Sequence, residues 1–435
     1  MDAPIIYFDN AATTFPKPEE VYKALEQSFR SAGNAGRGGH ALALNNARTI
    51  FDAREYIADF LGVRAAERLI FTPGCTYSIN MVLQGWLRFA CSARSTRSST
   101  IVVSGLEHNA VMRPLHQLQR ELNFEIAALP YKPGHFCDLG DLERMLQQKQ
   151  PVLCILTEGS NVTGEIADCY AAAYLCKKHN VPLLLDAAQT AGRSPDCLAH
   201  DGIKFWCASA HKGLLGPQGL GLLYVHPDME IEPFVAGGTG SASEQLGMPD
   251  VYPDRLEPGT MPSFLIGALH AGISWLQNME PLKIHDHEDK LVSRFLEWCA
   301  QESKIRLFGF DRIKFDRGIE SGRGIESGRS IESGRSIEAP VTTERAPSRL
   351  PIVSFLIDGL TPERVADQLQ RRANIAVRSG LHCAATAHKA LGTETTGLVR
   401  ASFGIFNTTS EVDLLCRTLE QIIAEPAEVI GSRCS

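Results

Sequence analysis

The segments VPLLLDAAQTAG (residues 181–192) and IKFWCASAHKGLLGPQGLG (residues 203–221) each contain an apolar run that ends in polar side chains. Val181 to Leu185 predicts one buried strand and Ile203 to Cys207 predicts another. The polar residues that follow these runs are Asp186, Gln189, Ser209, His211 and Lys212. Because open α/β sheets bind ligands at the carboxyl ends of their strands, we expect both polar sets to face one crevice.

This combination of side chains fits a pyridoxal phosphate site. In such a site a lysine forms a Schiff base, an acid keeps the pyridine nitrogen protonated, and hydroxyls and amides bind the phosphate. Taken alone, each motif is more commonly structural: a lysine on a glycine-rich loop, next to an aspartate at the end of a strand. The order of the motifs together favours the cofactor.

Composition places the chain among ordinary globular proteins. Its 435 residues are 44% hydrophobic and 21% charged, and 43 Lys and Arg against 50 Asp and Glu give a net charge of −7. An acidic balance argues against nucleic-acid and anionic-membrane partners. The sequence has no apolar stretch of membrane-spanning length, and MDAPIIYFDN does not resemble a signal peptide, so we expect a cytoplasmic protein. Its twelve cysteines are then expected to be reduced thiols, without a zinc-finger spacing.

Strands and helices alternate along the chain, which predicts an α/β fold with a mainly parallel sheet. We expect a large cofactor-binding domain over residues 18–256. A smaller α+β domain is expected to combine residues 1–17 with residues 257–435. Within it, residues 317–338 repeat a six-residue unit, RGIESG and its variants, whose composition predicts a disordered surface loop without chemistry.

Two motifs are set aside. GPQGLG (residues 216–221) leads into a predicted strand and does not open a helix, so it does not indicate a dinucleotide site. HDHEDK (residues 285–290) alternates possible metal ligands on a predicted helix. Without a closing set of ligands, we interpret it as a solvated helix face, and we expect no metal site.

Other strand ends supply further candidates. Cys75 and Thr76 follow a strand and open a helix, whose free N–H groups favour a phosphate; N-capping by Thr76 is the simpler role. His108 lies just past another strand and is flat enough to stack on a ring, although such a histidine is more often a surface residue. Asn161 lies at a third strand end, and Ala11 lies in a loop whose backbone can approach a ligand.

Cys383 carries the second chemical signal. His382 precedes it and Arg378 lies five residues earlier, and a thiol near cationic groups loses its proton more easily, which makes it a nucleophile. A small buried residue at a helix start is the more common fate of a cysteine. Arg378 and Arg400 lie on separate predicted strands, where either could bind a carboxylate or form an ordinary surface ion pair.

Together these segments resemble the class V aminotransferase family and, more closely, its cysteine desulfurases. The resemblance covers roughly residues 5–425 and rests on motifs that follow in the family's order. They are DNAATT, RGGH, GCTYSIN, EHNAV, SNVTG, DAAQTAG, SAHKGLLGPQG, GGTGS, EPGT, RSGLHCA, VRAS and FNT. It implies a fold type I enzyme that depends on pyridoxal phosphate.

The resemblance also implies roles. In this chain Lys212 would be the Schiff-base lysine and Asp186 would pair with the ring nitrogen. Gln189 would bind the ring oxygen, and His108 would stack on the ring. The implied phosphate ligands are Thr76, Ser209 and His211, with Gly259 and Thr260 supplied by the neighbouring subunit of a homodimer. Asn161 and Arg400 would bind substrate, and Cys383 would carry a persulfide. Cys75 replaces a threonine common in relatives, which would weaken one phosphate contact.

The expected reaction converts L-cysteine to L-alanine and leaves a persulfide on Cys383 for an acceptor protein or scaffold. Lys212 or His108 would move the Cα proton. The thiol would have to swing between cofactor and acceptor, which suits a glycine-flanked loop. Alternatives are a selenocysteine lyase or another class V aminotransferase or lyase reaction, or a non-catalytic dimer that binds partners in a sulfur pathway.

Overall fold

The structure is a computed structural model that describes residues 4–34, 38–93, 99–134, 136–193, 197–310 and 349–425. The repeat at residues 317–338 lies outside the described residues, so its predicted disorder stays a prediction.

A seven-stranded sheet forms the centre of the larger part of the molecule. Its strands in chain order are β2 (Leu69–Thr72), β3 (Ser99–Val103), β4 (Phe124–Ala128), β5 (Leu153–Thr157), β6 (Leu183–Asp186), β7 (Ile203–Ser209) and β8 (Gly221–Val225). The spatial order is β2-β8-β7-β6-β5-β3-β4, and only β8 runs antiparallel to its neighbours. The predicted α/β fold with a mainly parallel sheet is confirmed.

Both faces of this sheet are buried, because alternate side chains of each strand enter different hydrophobic cores. On β6, Leu183 and Leu185 belong to one core while Leu184 belongs to the other. On β7, Phe205 and Trp206 divide in the same way. A strand buried on two faces therefore gives the continuous apolar runs seen in the sequence.

Helices cover the faces of the sheet and continue into the second part of the chain. They are α1 (Glu19–Arg30), α2 (Ala41–Leu61), α3 (Cys75–Val82), α4 (Arg88–Ala93), α5 (Asn109–Gln119), α6 (Leu139–Lys149), α7 (Cys169–Lys178), α8 (Ser263–Asn278), α9 (Pro281–Gln301), α10 (Pro362–Ala373), α11 (Ala385–Leu391) and α12 (Thr409–Ala424). A 3₁₀ turn covers Ala66–Arg68 and a π-helical turn covers Leu83–Leu87. Among the described residues no helix is long and apolar enough to cross a bilayer.

Two smaller sheets involve the C-terminal part of the chain. β9 (Ile305–Phe308), β10 (Ile352–Ile357), β12 (Arg378–Gly380) and β13 (Leu398–Ser402) form an antiparallel sheet in the order β12-β13-β10-β9. β1 (Ile6–Tyr7) pairs in parallel with β11 (Ile375–Ala376), which ties the N-terminal segment to this part. Helix α8 packs against α1 and α2 of the larger part. The predicted boundary at residues 256 and 257 stays a prediction.

The interpretation of residues 285–290 as a solvated helix face is wrong for part of the motif. His285 and Glu288 are buried on α9. Glu288 accepts a 2.7 Å hydrogen bond from the Arg193 guanidinium, and His287 bonds the backbone oxygen of Asn407. A buried arginine supplied by another element, invisible in the local pattern, explains the charge on an inward face. In the described part of the chain no group of three or more possible ligands could hold a metal ion.

A buried ion pair joins α2 to the segment that leads to α8. Nη1 and Nη2 of Arg54 each donate to the Glu257 carboxylate at 2.8 Å, and the Phe71 amide donates to the same carboxylate at 2.7 Å. Arg54 also donates to the Leu69 carbonyl. A buried carboxylate that loses its cation keeps its desolvation penalty without compensation.

We predict that Arg54→Met lowers the free energy of unfolding by about 3–5 kcal/mol, because Glu257 is left buried and unpaired. Urea denaturation measures the loss. The matched control is Arg371→Met, which breaks an exposed pair with Asp367 and should cost about 0.3–0.5 kcal/mol. Equal effects of the two substitutions would contradict the role given to Arg54.

Candidate active site

The carboxyl ends of β5, β6 and β7 meet at one edge of the sheet. Thr157, Asp186 and Cys207 stand in register on these three parallel strands. A cleft with about 800 Å³ of empty space opens there. The predicted site residues that line it are Ala11, Cys75, Thr76, His108, Asn161, Asp186, Gln189, Ser209, His211, Lys212, Arg378, Cys383 and Arg400. Gly259 and Thr260 are exposed and do not line it.

Lys212 presents an amine to the cleft. Its ammonium makes no hydrogen bond or ion pair with any residue that the structure describes, while Thr14 Oγ1 holds its backbone carbonyl at 2.9 Å. Burial lowers the pKa of the Lys212 ammonium, and the charge of Asp186 opposes that shift. A lowered pKa increases the share of neutral amine, which is the nucleophilic form.

Asp186, at the end of β6, lines the same cleft. It is 3% exposed, and its Oδ1 accepts from the Ala188 amide at 3.0 Å and from the Cys75 thiol at 3.4 Å. Within the described ranges its Oδ2 has no hydrogen-bond partner. Gln189, on the loop that follows, donates to the Ala11 carbonyl at 3.0 Å and so joins this loop to the N-terminal segment.

Several hydrogen-bond donors converge beyond Asp186, at the start of α3. Gly74 is the N-cap of this helix, so the simpler role of Thr76 as N-cap does not hold. The amides of Cys75 and Thr76 have no partner among the residues with described placement. The Thr76 and Ser209 side chains line the same part of the cleft. Free amides at a helix N-terminus, together with hydroxyls, are suited to an anion.

His211 adds an uncharged imidazole to this region. Burial, with the neighbouring charges of Lys212 and Lys17, lowers the pKa of His211 to about 4, and its buried Nδ1 has no partner among the residues that the structure describes. Lys17 donates to the His211 carbonyl at 2.6 Å. Burial lowers the pKa of Lys17 to about 8. Lys17 was not predicted as a site residue, because it lies three residues after the DNAATT motif, in a segment without a chemical signal of its own.

His108 is fixed in one tautomer by its own helix. Its Nδ1 accepts from the Ala110 amide at 3.0 Å, which makes His108 the N-cap of α5. A neutral ring whose Nδ1 accepts must carry its proton on Nε2. Burial lowers the pKa of His108, which favours this neutral form. The ring therefore offers the cleft a flat face and a donor.

Arg378 and Arg400 face each other across β12 and β13 in direct register. Asp9 lies between them, 2.7 Å from Nη2 of Arg400 and 3.7 Å from Nη1 of Arg378. The Arg400 side chain is 2% exposed and its Nε has no partner in the described structure. Two guanidinium groups with one carboxylate leave an excess positive charge, which suits an anionic ligand such as a carboxylate. Asp9, although part of DNAATT, was not predicted as their counter-ion.

Cys383 is exposed and lines the same cleft as Lys212. His382 and Cys383 both have positive φ angles, 47° and 56°, a conformation that costs a non-glycine residue about 1–3 kcal/mol. Hydrogen bonds of the larger part hold the loop: Asn161 Nδ2 donates to the His382 carbonyl and the Asn109 amide to the Cys383 carbonyl, both at 2.8 Å. The expected swinging loop is therefore an anchored loop in this structure.

Glu107, which the sequence analysis did not identify, is a fully buried carboxyl beside the cleft. Its Oε1 accepts from the Ser104 hydroxyl at 2.5 Å and from the Thr157 amide at 2.8 Å, while the buried Oε2 has no partner in the part of the chain that the structure describes. Burial raises the pKa of Glu107 to about 8, and the charge of Asp186 adds to the shift. Its backbone carbonyl accepts from the Thr386 hydroxyl at 2.7 Å, which ties α11 to the His108 segment.

Comparison with known proteins identifies relatives over most of the chain. The family model described as Aminotransferase class-V matches residues 6–320 and 330–415. A probable cysteine desulfurase from Methanothermobacter thermautotrophicus is 29% identical over 423 residues, which cover 96% of this chain and 94% of that relative.

Solved structures agree with this result. The apo structure of a cysteine desulfurase from Thermococcus onnurineus matches with a TM-score of 0.80 and 27% identity, over 96% of this chain and 94% of the other. The cysteine desulfurase CsdA from Escherichia coli, solved with an S-sulfonic acid, matches with a TM-score of 0.77 and 26% identity over the same shares of the two chains.

We predict that Glu107→Gln becomes increasingly favourable relative to the unchanged protein as the pH rises from 5 to 8. The folded-state pKa of Glu107 lies above its unfolded value, so the stability linked to its proton is complete below about pH 4.5 and is lost as the pH passes through about 8. Glutamine has no such proton to lose. Urea denaturation at both pH values measures the difference, and exposed Glu67→Gln is the control. If the difference in unfolding free energy between Glu107→Gln and the unchanged protein does not change with pH, the raised pKa assigned to Glu107 is wrong.

We also predict that Thr386→Val loosens the loop that carries Cys383, because it removes the hydrogen bond to the Glu107 carbonyl. Amide hydrogen exchange in residues 380–386 should become about fivefold faster, the effect of one net hydrogen bond. Thr49→Val is the control, since the Thr49 hydroxyl makes an ordinary bond to the Asn45 carbonyl within α2. Unchanged exchange at residues 380–386 would mean that the other two bonds hold the loop alone.

Proposed function

The chain belongs to the class-V aminotransferase family, and we propose that it is a pyridoxal-phosphate-dependent cysteine desulfurase. The observation that carries the proposal is the shared cleft: the Lys212 amine and the Cys383 thiol come from different parts of the fold and line one cavity. A family member without sulfur chemistry would not need an exposed cysteine on an anchored, strained loop there. The match to a probable cysteine desulfurase and to a solved cysteine desulfurase covers 94% of each of those relatives.

The donors in the cleft fit the cofactor. Asp186 has one free carboxylate oxygen for a protonated ring nitrogen, and the flat ring of neutral His108 is available for stacking. Free amides at the start of α3, the hydroxyls of Thr76 and Ser209, and the unpartnered His211 nitrogen match the acceptors of a phosphate. When bound, pyridoxal phosphate would supply an electron sink for bonds at the substrate Cα.

The chain's own residues would then bind the substrate and move protons. The excess positive charge at Arg378 and Arg400 would hold the carboxylate of L-cysteine. Lys212 would act as the base at Cα in its neutral amine form, because burial lowers the pKa of its ammonium. His108, a donor at Nε2, is the second candidate for this proton transfer.

Cys383 would receive the sulfur. As a thiolate it would attack the substrate sulfur, forming the S–S bond of a persulfide while the C–S bond breaks and a proton completes L-alanine. Thiol plus cysteine become persulfide plus alanine, so no external oxidant or reductant is needed. Because the loop is anchored and Cys383 is exposed, we propose that an acceptor protein or scaffold reaches the thiol, rather than the thiol swinging out to the acceptor.

A homodimer would complete the phosphate end of the site. Gly259 and Thr260 are exposed and lie outside the cleft of their own chain, which agrees with a role in the partner's site. An open cavity beside the phosphate end, which shares Thr76, Ser209 and His211 with the cleft, could receive them. We propose that the protein is a dimer, which analytical ultracentrifugation would test, and that it is cytoplasmic.

We predict that Cys383→Ser retains the yellow colour of the bound cofactor and forms no persulfide, while Lys212→Ala loses both the colour and activity. Serine keeps the loop but lacks the sulfur nucleophile, and alanine lacks the amine. Absorbance spectra and assays of alanine, sulfide and keto acid measure these outcomes. Cys91→Ser, outside the cleft, is the control. Normal desulfuration by Cys383→Ser would refute the assignment of the nucleophile, and keto acid as the main product would favour a transaminase.

A further inference from the structure

The cleft contains a second thiol whose surroundings differ from those of Cys383. Cys75 opens α3, is 6% exposed, and donates its only thiol hydrogen bond among the described residues to Asp186. The sequence analysis placed Cys75 among the cofactor ligands as a weak phosphate contact. Its side chain in the structure is directed to the carboxylate instead, and its main-chain amide remains available to an anion.

The contact leaves the two oxygens of Asp186 unequal. Oδ1 accepts from the Cys75 thiol at 3.4 Å and from the Ala188 amide at 3.0 Å, so the directions for further donors at this oxygen are taken up. Oδ2 has no partner among the placed residues, although Asp186 is 97% buried and lines the cleft. Oδ2 is not enclosed by the protein, so it is open to a donor from a ligand in the cleft.

The Cys75 thiol is suited to donate a hydrogen bond and not to act as a nucleophile. Burial raises the pKa of its thiol well above the ordinary value, and the charge of Asp186 raises it further. The thiol therefore keeps its proton in the range where a free cysteine begins to ionise. Cys207, also buried and also affected by the charge of Asp186, makes no thiol hydrogen bond within the described structure.

We propose that Cys75 is a positioning residue that engages one oxygen of Asp186 and so directs the other oxygen to the protonated nitrogen of a pyridine ring. The inference rests on the proposed function, since it assumes that Asp186 meets the cofactor ring. It assigns Cys75 no sulfur transfer. The thiol acts through the carboxylate by fixing its rotation about the Cβ–Cγ bond.

Infrared spectroscopy of the cofactor-free protein tests the contact directly. The S–H stretching band that disappears in Cys75→Ser should lie at the frequency of a hydrogen-bonded thiol and shift towards that of a free thiol in Asp186→Leu. The band of Cys207, identified with Cys207→Ser, should shift less than that of Cys75 in Asp186→Leu, because Cys207 feels the charge of Asp186 but makes no hydrogen bond to it within the described structure. A Cys75 band that is unaffected by Asp186→Leu overturns the proposal, whatever the enzyme does.

Cofactor binding tests the consequence. In a Lys212→Ala background, which removes covalent attachment, Cys75→Val should weaken pyridoxal phosphate binding about fivefold, the effect of one net hydrogen bond. Cys75→Ser, which keeps a donor, should bind within twofold of the parent. Equal affinities of the valine and serine variants would overturn the positioning role. If the unchanged protein binds the cofactor but releases no alanine from L-cysteine, the proposed function fails while this inference stands.

Discussion

The register of β5, β6 and β7 is the constraint on which the site depends. Because Thr157, Asp186 and Cys207 lie level on parallel strands, the residues that follow each strand emerge at one edge of the sheet. The backbone continues this alignment past the strand ends, since the Glu158 amide donates to the Asp186 carbonyl at 2.9 Å. Thus Asp186 and Lys212, 26 positions apart in the sequence, can share a cleft without either loop being long.

Burial then shifts the pKa values of the titratable groups in and next to the cleft. Burial raises the pKa of Glu107 and of Glu158, two carboxyls next to the cleft, and the charge of Asp186 adds to both shifts. Burial likewise lowers the pKa of Lys212 and of His108. Asp186 lines the cleft itself and accepts from the Ala188 amide and the Cys75 thiol. An acid therefore lies in the cleft together with basic groups whose charged forms are disfavoured by burial, which suits a cationic ring nitrogen.

The sequence predicted what depends on local pattern and could not predict what depends on distant partners. Apolar runs indicated the buried strands, and strand ends followed by polar residues indicated the cleft. The burial of Glu288 was not predicted, because its partner Arg193 lies far away in the chain. Asp9 as the counter-ion of Arg400 was missed for the same reason, since 391 positions separate them. Likewise, the glycine-flanked segment indicated a movable loop, and its hydrogen bonds to Asn161 and Asn109, from other elements, could not be predicted from the local pattern.

The two cleft cysteines show that position in the fold, and not residue type, decides the chemistry of a thiol. Cys75 is enclosed, donates to a carboxylate, and has a pKa raised well above the ordinary thiol value, so its thiolate is disfavoured. Cys383 is exposed on a backbone with positive φ, and its thiol has no hydrogen bond among the described residues. Since only a thiolate attacks sulfur efficiently, the same cleft can hold one cysteine as a structural donor and offer the other as a nucleophile. The strain at residues 382 and 383 is then balanced by bonds to the larger part of the molecule, which hold Cys383 at the cleft that Lys212 also lines.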